Sequence, residues 1–260
     1  MSEPSEETVE ALRRLDALTR RLRAECPWDR EQDERSIVPH TVEEAYELAA
    51  AAHAGDDAKL LDELGDVLFQ VHFLSLLLEE RGAGTLADVA EHCRQKLIRR
   101  HPHVFGDVEA DTAGQVLRNW DAIKATEAGR EPGIFGDVPE SLPGTLYARK
   151  LQRRAASTGF DFEHVPYEAV EAELEELRSA REREERFHEA GDVLFAAVNV
   201  ARKLKVDPEL ALRAAADRFR GRVQAAEGLA ASEGADWNDL DSEAQLALYA
   251  RARLNEETET

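Results

Sequence analysis

Cysteine and long apolar runs are both scarce in this chain of 260 residues. Its two cysteines, Cys26 and Cys93, are too few for a disulfide framework and are typical of reduced thiols in the cytosol. No run of about 18 apolar residues occurs, so we expect no transmembrane helix. The first ten residues, MSEPSEETVE, are polar and acidic, so a signal peptide is not expected. The sequence therefore predicts a cytoplasmic protein that does not enter a membrane.

Basic residues are also few, with 33 lysines and arginines against 54 aspartates and glutamates and a formal net charge of −21. A surface of this charge is repelled by the phosphates of nucleic acids and by anionic membranes, so neither is an expected partner. An acidic protein can still bind a polyanion when metal ions lie between the two. The charge balance thus leaves metal-bridged polyphosphates open as ligands.

The alternation of β-branched residues that marks strands is absent, and most of the chain has helical periodicity. Alanine, leucine, glutamate and arginine dominate these segments, and they favour helices. The segment 129–144 contains four glycines and three prolines, which predicts a linker between two units. We expect an all-α fold with helices near 6–24, 41–54, 58–81, 85–98, 112–127, 143–156, 166–181, 185–204, 208–230 and 242–255.

One group of acidic residues occurs twice, each time with the same five residues, GDVLF, at 65–69 and at 191–195. The two copies are offset by 129 residues in their first half and by 126 in their second half. The chain is therefore an internal repeat that has lost three residues between paired helices. The acids are Glu43, Glu44, Glu47, Glu63 and Asp66 in the first copy, and Glu173, Glu176, Glu189 and Asp192 in the second.

The spacing of these acids favours a metal site. The three glutamates of HTVEEAYEL fall within about 100° of one helix, so they point the same way. Glu63 and Asp66 lie about 60° apart on the next helix, which continues as the nearly apolar VLFQVHFLSLLL at 67–78. Desolvating two carboxylates is costly unless a cation compensates, and a divalent cation with oxygen ligands does so.

A solvated acidic face is the alternative interpretation, because 33% of the residues are charged. It explains EELEE well when that segment is taken alone. It explains poorly a pattern that recurs together with GDVLF, so we interpret both copies as metal-binding.

The densest positive patch is KLIRRHPHVF at 96–105. Lys96, Arg99 and Arg100 suit a polyphosphate, since arginine binds phosphate through two hydrogen bonds. Ordinary pairing with neighbouring acids is the alternative for these cations. Trp120, in NWDAIK, is either a core aromatic or a surface on which a base stacks.

Together, CPWDREQ, TVEEAYEL, DELGDVLFQV, KLIRRHPHVFGD and NWDAIK resemble the MazG family of nucleoside triphosphate pyrophosphohydrolases. SLPGTLYARKLQRRAASTGFDF, EAGDVLFAAVNVARKL and DPELALRAAADRF resemble the second repeat of that family. The resemblance covers about residues 10–255 in order. It implies an all-α fold of two tandem MazG-like helical-bundle units, at 1–128 and 145–260, joined by the linker at 129–144.

The resemblance also implies a homodimer that hydrolyses a nucleoside triphosphate to a monophosphate and pyrophosphate. Mg²⁺ is the implied cofactor, with Mn²⁺ as a possible substitute. The family's EExxE and ExxD metal motif maps onto all five acids of the first copy and four of the second, where Ala172 replaces the first glutamate. Glu44 and Glu173 are the candidate catalytic residues. The candidate nucleotide-binding or phosphate-binding residues are Lys96, Arg99, Arg100, Trp120, Lys124, Arg218 and Arg222.

Either unit can be the active one, since the first fits the family pattern fully and the second keeps its four metal carboxylates. The expected role is housecleaning of nucleotides or control of a nucleotide pool.

Two other functions compete with this interpretation. One is a regulator that binds nucleotide at a decayed site, which the intact carboxylates argue against. The other is a ferritin-like di-metal bundle, which expects Glu-x-x-His where this chain has aspartate at Asp66 and Asp192.

Overall fold

The structure is a computed structural model that describes residues 5–127, 133–136 and 138–259. All regular secondary structure in these residues is helical, which confirms the all-α prediction. The chain divides into two compact units, Met1–Gly129 and Arg130–Thr260. The predicted linker at 129–144 lies partly outside the described residues, and a helix begins at its last residue, Gly144. None of the described helices is long and apolar enough to cross a membrane.

The first unit contains seven helices within its described residues, two of them of only four or five residues. They are α1 (Glu6–Glu25), α2 (Pro27–Glu31), α3 (Glu34–Ala54), α4 (Asp57–Glu80), α5 (Leu86–Arg100), α6 (Pro102–Phe105) and α7 (Ala113–Ala125).

The second unit contains five α-helices and one turn of 3-10 helix within its described residues. They are α8 (Gly144–Ser157), α9 (Tyr167–Ser179), α10 (Arg183–Lys203), α11 (Pro208–Ser232), the 3-10 turn Trp237–Asp239, and α12 (Ser242–Glu259).

Local signals fix the ends of the paired helices α3 and α4. The Asp33 side chain accepts hydrogen bonds from the backbone of Arg35 and Ser36, so α3 begins at Glu34. The predicted start at 41 was therefore wrong. Gly55, at φ 69°, ends α3, and the next residue caps α4. Because the connection is this short and the two helices pack together, they run antiparallel.

The core of the first unit lies between these two helices. Ile37 of α3 packs with Phe73 and Leu77 of α4, and Phe73 is completely buried. The opposite face of α4 stays exposed, with Leu61 at 74% and Leu64 at 50%. The helix is thus only partly covered in the single chain, although its composition predicts burial on all sides.

Ion pairs fasten the end of α4 to α1. Arg20 forms two hydrogen bonds with Glu79, at 3.1 and 2.7 Å, and Arg23 forms two with Glu80, both at 2.9 Å. These bidentate pairs fix the orientation of both arginine side chains. They hold the carboxyl end of α4, whereas the acidic motif lies in its amino-terminal half.

The second unit repeats the helix pair as α9 and α10, which pack against each other. Here no glycine ends the first helix. Glu182 is instead the N-cap of α10, and its backbone N–H donates to the side chain of Glu185 in a capping box. A separate apolar core joins α11 to α12 through alanines, which allow a close approach of the two helices. Its buried members are Ala226, Ala230, Leu248 and Ala252.

Candidate functional site

Three acids of the first copy come together between α3 and α4. Glu44 on α3 and Glu63 and Asp66 on α4 each offer a carboxylate oxygen, and these oxygens all lie within 4.8 Å of one another. Glu63 is only 5% exposed, Glu44 is half-buried and Asp66 faces solvent. The antiparallel pairing thus joins the two acidic motifs into one cluster.

Burial and like charge make this cluster unfavourable by itself. The pKa of Glu44 is raised first by burial and then by the charges of Asp66, Glu47, Glu63 and Glu43. The pKa of Glu63 is raised in the same way, by burial and then by Glu47, while nearby Lys59 lowers it. A cation in the cluster would remove this repulsion. An all-carboxylate donor set fits a hard divalent ion such as Mg²⁺ better than a soft metal.

The two remaining acids of the first motif lie beside the cluster on α3. Glu43 and Glu47 are both exposed. An oxygen of Glu43 lies 3.8 Å from Nδ1 of His40. Neither glutamate belongs to the group of three converging oxygens, and both act on Glu44 through charge.

The second copy forms an equivalent cluster within its own unit. Oxygens of Glu173 and Glu176 on α9 and of Glu189 on α10 lie within 4.8 Å of one another. The pKa of Glu173 is raised by burial first, and then by Glu176, Asp192 and Glu189. Asp192 is exposed and outside the converging group, whereas its counterpart Asp66 is inside it. The two clusters therefore share their chemistry but differ in which side chains converge.

The predicted phosphate-binding arginines of the first unit are engaged with an acid that sequence reasoning missed. Arg99 and Arg100 both bind Glu127, with nitrogen–oxygen distances of 2.7 and 2.5 Å. The guanidinium of Arg100 also lies 5.3 Å from the ring centre of Trp120. Local charge pairing, the alternative interpretation of this patch, is thus what the side chains form here. No spacing rule connects residues so far apart along the chain.

The other predicted nucleotide-binding residues lie on helices outside the acidic clusters. Lys96 is on α5, Lys124 is on α7 and Arg218 is exposed on α11. Arg222, also on α11, donates from Nε to Glu256 at 2.6 Å. The structure therefore brings together three of the five predicted metal ligands in the first unit and three of the four in the second. The predicted cations lie on α5, α7 and α11, which carry none of these ligands.

Comparison with known proteins identifies relatives over most of the chain. A family described as the MazG nucleotide pyrophosphohydrolase domain matches residues 32–105, which include the first acidic cluster. The Thermotoga maritima nucleoside triphosphate pyrophosphohydrolase/pyrophosphatase MazG is 40% identical over 236 residues, 90% of this chain and 91% of the relative. The nucleoside triphosphate pyrophosphohydrolase of Escherichia coli K12 is 36% identical over 240 residues, 89% of this chain and 91% of the relative.

The Glu127 ion pairs predict a specific loss of stability in acid. Hydrogen bonds from Arg100 and then Arg99 lower the pKa of Glu127 from 4.5 to about 2. A carboxyl group whose pKa is lower in the folded state stabilises the fold above its unfolded pKa and loses that contribution as pH falls. The contribution of Glu127 should therefore disappear between pH 4.5 and about pH 2.

Denaturant unfolding of the wild type and Glu127→Gln across this pH range checks the prediction. The variant should be less stable at neutral pH. The difference in unfolding free energy between the two proteins should disappear on acidification. Glu184→Gln, at an exposed position, is the matched control and should follow the wild type. A difference in unfolding free energy that stays constant with pH would contradict the lowered pKa of Glu127 as its cause.

The acidic clusters predict that Mg²⁺ stabilises the protein. An ion that binds only the folded state stabilises it by about 2.7 kcal/mol at 100 times its dissociation constant. We expect thermal melts with Mg²⁺ to lie several degrees above melts with chelator at equal ionic strength. The double variant Glu63→Gln, Glu189→Gln should gain stability without metal and respond less to Mg²⁺. Identical melts of the wild type in both conditions would indicate solvated acids with no ion.

Proposed function

The chain belongs to the MazG family, and we propose that it is a Mg²⁺-dependent nucleoside triphosphate pyrophosphohydrolase. The reaction converts a nucleoside triphosphate and water to a nucleoside monophosphate and pyrophosphate. The observation that carries the proposal is the convergence of three carboxylates in each unit. The printed names of the relatives support the same reaction. A housecleaning role or control of a nucleotide pool fits this activity.

We propose that the converging carboxylates hold Mg²⁺, with Mn²⁺ as a substitute. Glu44, Glu63 and Asp66 are the ligands in the first unit, with Glu43 and Glu47 adding negative charge. Glu173, Glu176 and Glu189 are the ligands in the second unit, with Asp192 beside them. A bound ion supplies charge neutralisation to the triphosphate oxygens. The burial of Glu63 favours this arrangement, because an uncompensated carboxylate is costly there.

Glu44 or Glu173 is our candidate for the general base. The carboxylate orients a water molecule and accepts its proton while the water oxygen bonds to the α-phosphorus. The bond from the α-phosphorus to the bridging oxygen breaks, and pyrophosphate leaves. Each glutamate is half-buried and belongs to one of the converging groups, which supports this role.

We propose that cations near the site stabilise the pyrophosphate as it leaves. Lys96 and Arg100 take this role in the first unit, and Arg218 and Arg222 take it in the second. Arg100 and Arg222 both carry carboxylate partners, Glu127 and Glu256, so a phosphate would have to compete with a carboxylate for each guanidinium. Arg99, Trp120 and Lys124 remain candidates for contacts with the rest of the nucleotide.

A second copy of the chain is the partner that we propose. The exposed apolar stripe of α4 contains Leu61, Leu64, Leu68 and Val71, which repeat at helical spacing. Phe187 and Leu194 give α10 a similar exposed face, at 78% and 67% exposure. Faces of this kind on single chains mark contacts with other chains. We also propose a cytoplasmic location, because both cysteines are free thiols.

Replacing one acid in each unit tests both the reaction and its location. Asp66→Asn and Asp192→Asn each remove a charge and nearly keep the side-chain shape. If the first unit is active, Asp66→Asn should lower kcat by orders of magnitude and Asp192→Asn should change it little. If the second unit is active, Asp192→Asn should lower kcat by orders of magnitude and Asp66→Asn should change it little. The assay measures pyrophosphate and monophosphate released from a panel of triphosphates with Mg²⁺.

Two controls make this result specific. Asp62→Asn and Glu184→Gln remove exposed acids from the same helices and should leave the rate near wild type. Release of single phosphate with a nucleoside diphosphate would reject the mechanism. Wild-type rates in the double variant Asp66→Asn, Asp192→Asn would remove these carboxylates from catalysis.

The exposed stripe of α4 predicts a dimer in solution. Light scattering should give about twice the 29.0 kDa of one chain, because association covers the apolar face. Leu64→Glu places a charge in the stripe and should shift the mass toward the monomer. Leu12→Glu, at 42% exposure on α1, is the matched control. A wild-type monomer at micromolar concentration would contradict the prediction.

A further inference from the structure

Arg99 and Arg100, at the end of α5, share a single carboxylate. Oε1 of Glu127 accepts hydrogen bonds from Nε and Nη2 of Arg99, at 3.2 and 2.7 Å, and from Nε of Arg100 at 3.0 Å. Oε2 accepts another from Nη2 of Arg100 at 2.5 Å. Two guanidinium groups thus converge on one oxyanion, and arginines bind phosphate groups through hydrogen bonds of the same kind.

We propose that Glu127 and Glu256 are internal competitors of polyphosphates. In the first unit Glu127 occupies Arg99 and Arg100 until a polyphosphate displaces it, and in the second unit Glu256 occupies Arg222 in the same way. Each glutamate therefore raises the polyphosphate concentration at which its unit is half-occupied. The identity of the ligand rests on the proposed function, because a triphosphate substrate and a pyrophosphate product are both polyphosphates.

The charges at Arg99 and Arg100 do not balance. Two permanent positive charges meet one carboxylate, and no second acid among the described residues pairs with either arginine. Lys96 adds a third positive charge one turn earlier on the same helix. A structural ion pair needs only one cation for each carboxylate. A pyrophosphate group, with two or more negative charges, neutralises both guanidinium groups, which Glu127 alone does not.

The same contact recurs in the second unit at matching positions. Arg100 is the fifteenth residue of α5, and Arg222 is the fifteenth residue of α11. Glu127 and Glu256 are 129 residues apart, the offset that also relates the first halves of the two acidic motifs. Nε of Arg222 donates to Glu256 at 2.6 Å. The arginine–glutamate contact is therefore part of the repeated unit and not a chance pairing on one surface.

An aromatic ring lies beside each of these arginines. The guanidinium of Arg100 lies 5.3 Å from the ring centre of Trp120. Tyr249, which follows Trp120 by the same 129 residues, accepts a hydrogen bond from Arg222. A ring contact orients a guanidinium independently of its carboxylate partner. Each arginine thus keeps an orienting contact when an anion replaces the glutamate.

Glu127 can leave the arginines without the unfolding of a helix. α7 ends at Ala125, Thr126 is its C-cap, and Glu127 follows. The side chain of Arg99 is 53% exposed, whereas those of Arg100 and Glu127 are 13% and 16% exposed. An anion from solvent therefore meets Arg99 first and can then take the place of the carboxylate on Arg100.

Binding of pyrophosphate without divalent metal tests the proposal. The acidic clusters repel the anion under this condition, so the arginines provide the binding. We expect calorimetric titration to show roughly tenfold tighter binding in Glu127→Gln and in Glu256→Gln than in the wild type, because a charged hydrogen-bonding group no longer competes. Glutamine keeps the shape of the side chain and removes its charge. A poorly folded variant would bind less pyrophosphate, so misfolding cannot imitate this result.

Glu109→Gln and Glu243→Gln are the matched controls, since each removes one charge from an exposed residue of the first or the second unit. Both should bind pyrophosphate like the wild type. Adding Arg100→Gln to Glu127→Gln should abolish the gain. Unchanged or weaker binding in Glu127→Gln and Glu256→Gln, an equal gain in the controls, or a gain that survives the loss of Arg100 would each overturn the proposal.

Triphosphate hydrolysis is measured separately on the same proteins. Tighter pyrophosphate binding in the two variants without hydrolysis of any triphosphate would retain the role of the glutamates and reject the proposed function. Hydrolysis together with unchanged pyrophosphate binding would do the opposite. If both hold, the KM of the active unit for its triphosphate should fall roughly tenfold in the corresponding glutamine variant.

Discussion

Repulsion between carboxylates is the constraint on which the rest of this structure depends. Each helix pair brings three acids within 4.8 Å of one another, and the pKa values of Glu44, Glu63 and Glu173 rise in response. The fold has to supply the energy that holds such groups together without a cation. The apolar core beneath α4 and the bidentate pairs at its far end contribute to that energy. Stability and the capacity to bind a cation are therefore opposed within the same few turns of helix.

Sequence patterns predicted the parts of this molecule that depend on near neighbours. Helical periodicity predicted the all-α fold. The acidic spacing predicted the three acids that converge in each unit, but it also included Glu43, Glu47 and Asp192, which lie outside the converging groups. Local caps explain why Gly55 ends one helix, yet the start of α3 was misplaced because Asp33 was not recognised as its cap. Long-range details were not predictable. Nothing near Glu127 in the sequence indicates that it pairs with Arg100, and no pattern marks the buried oxygen of Gln152.

The two units have kept the same acids and changed what surrounds them. Asp66 converges with its neighbours, whereas Asp192 does not. Phe73 fills a core, whereas Asn199 lines a cavity. These differences are of the kind that separates two copies of one site into different tasks. One copy can come to contribute mainly to the stability of the fold, while the other gains residues that contact a larger part of a ligand.

The short turn at Gly55 also affects how the first unit folds. All five acids of this motif lie between residues 43 and 66, on helices joined by a minimal connection. Closing such a short loop costs little chain entropy, and contacts near in sequence form quickly. We therefore expect the α3–α4 hairpin to bring its acidic residues together before distant helices dock. A segment with this property can be copied within a gene as a ready unit, which is consistent with its presence twice in one chain.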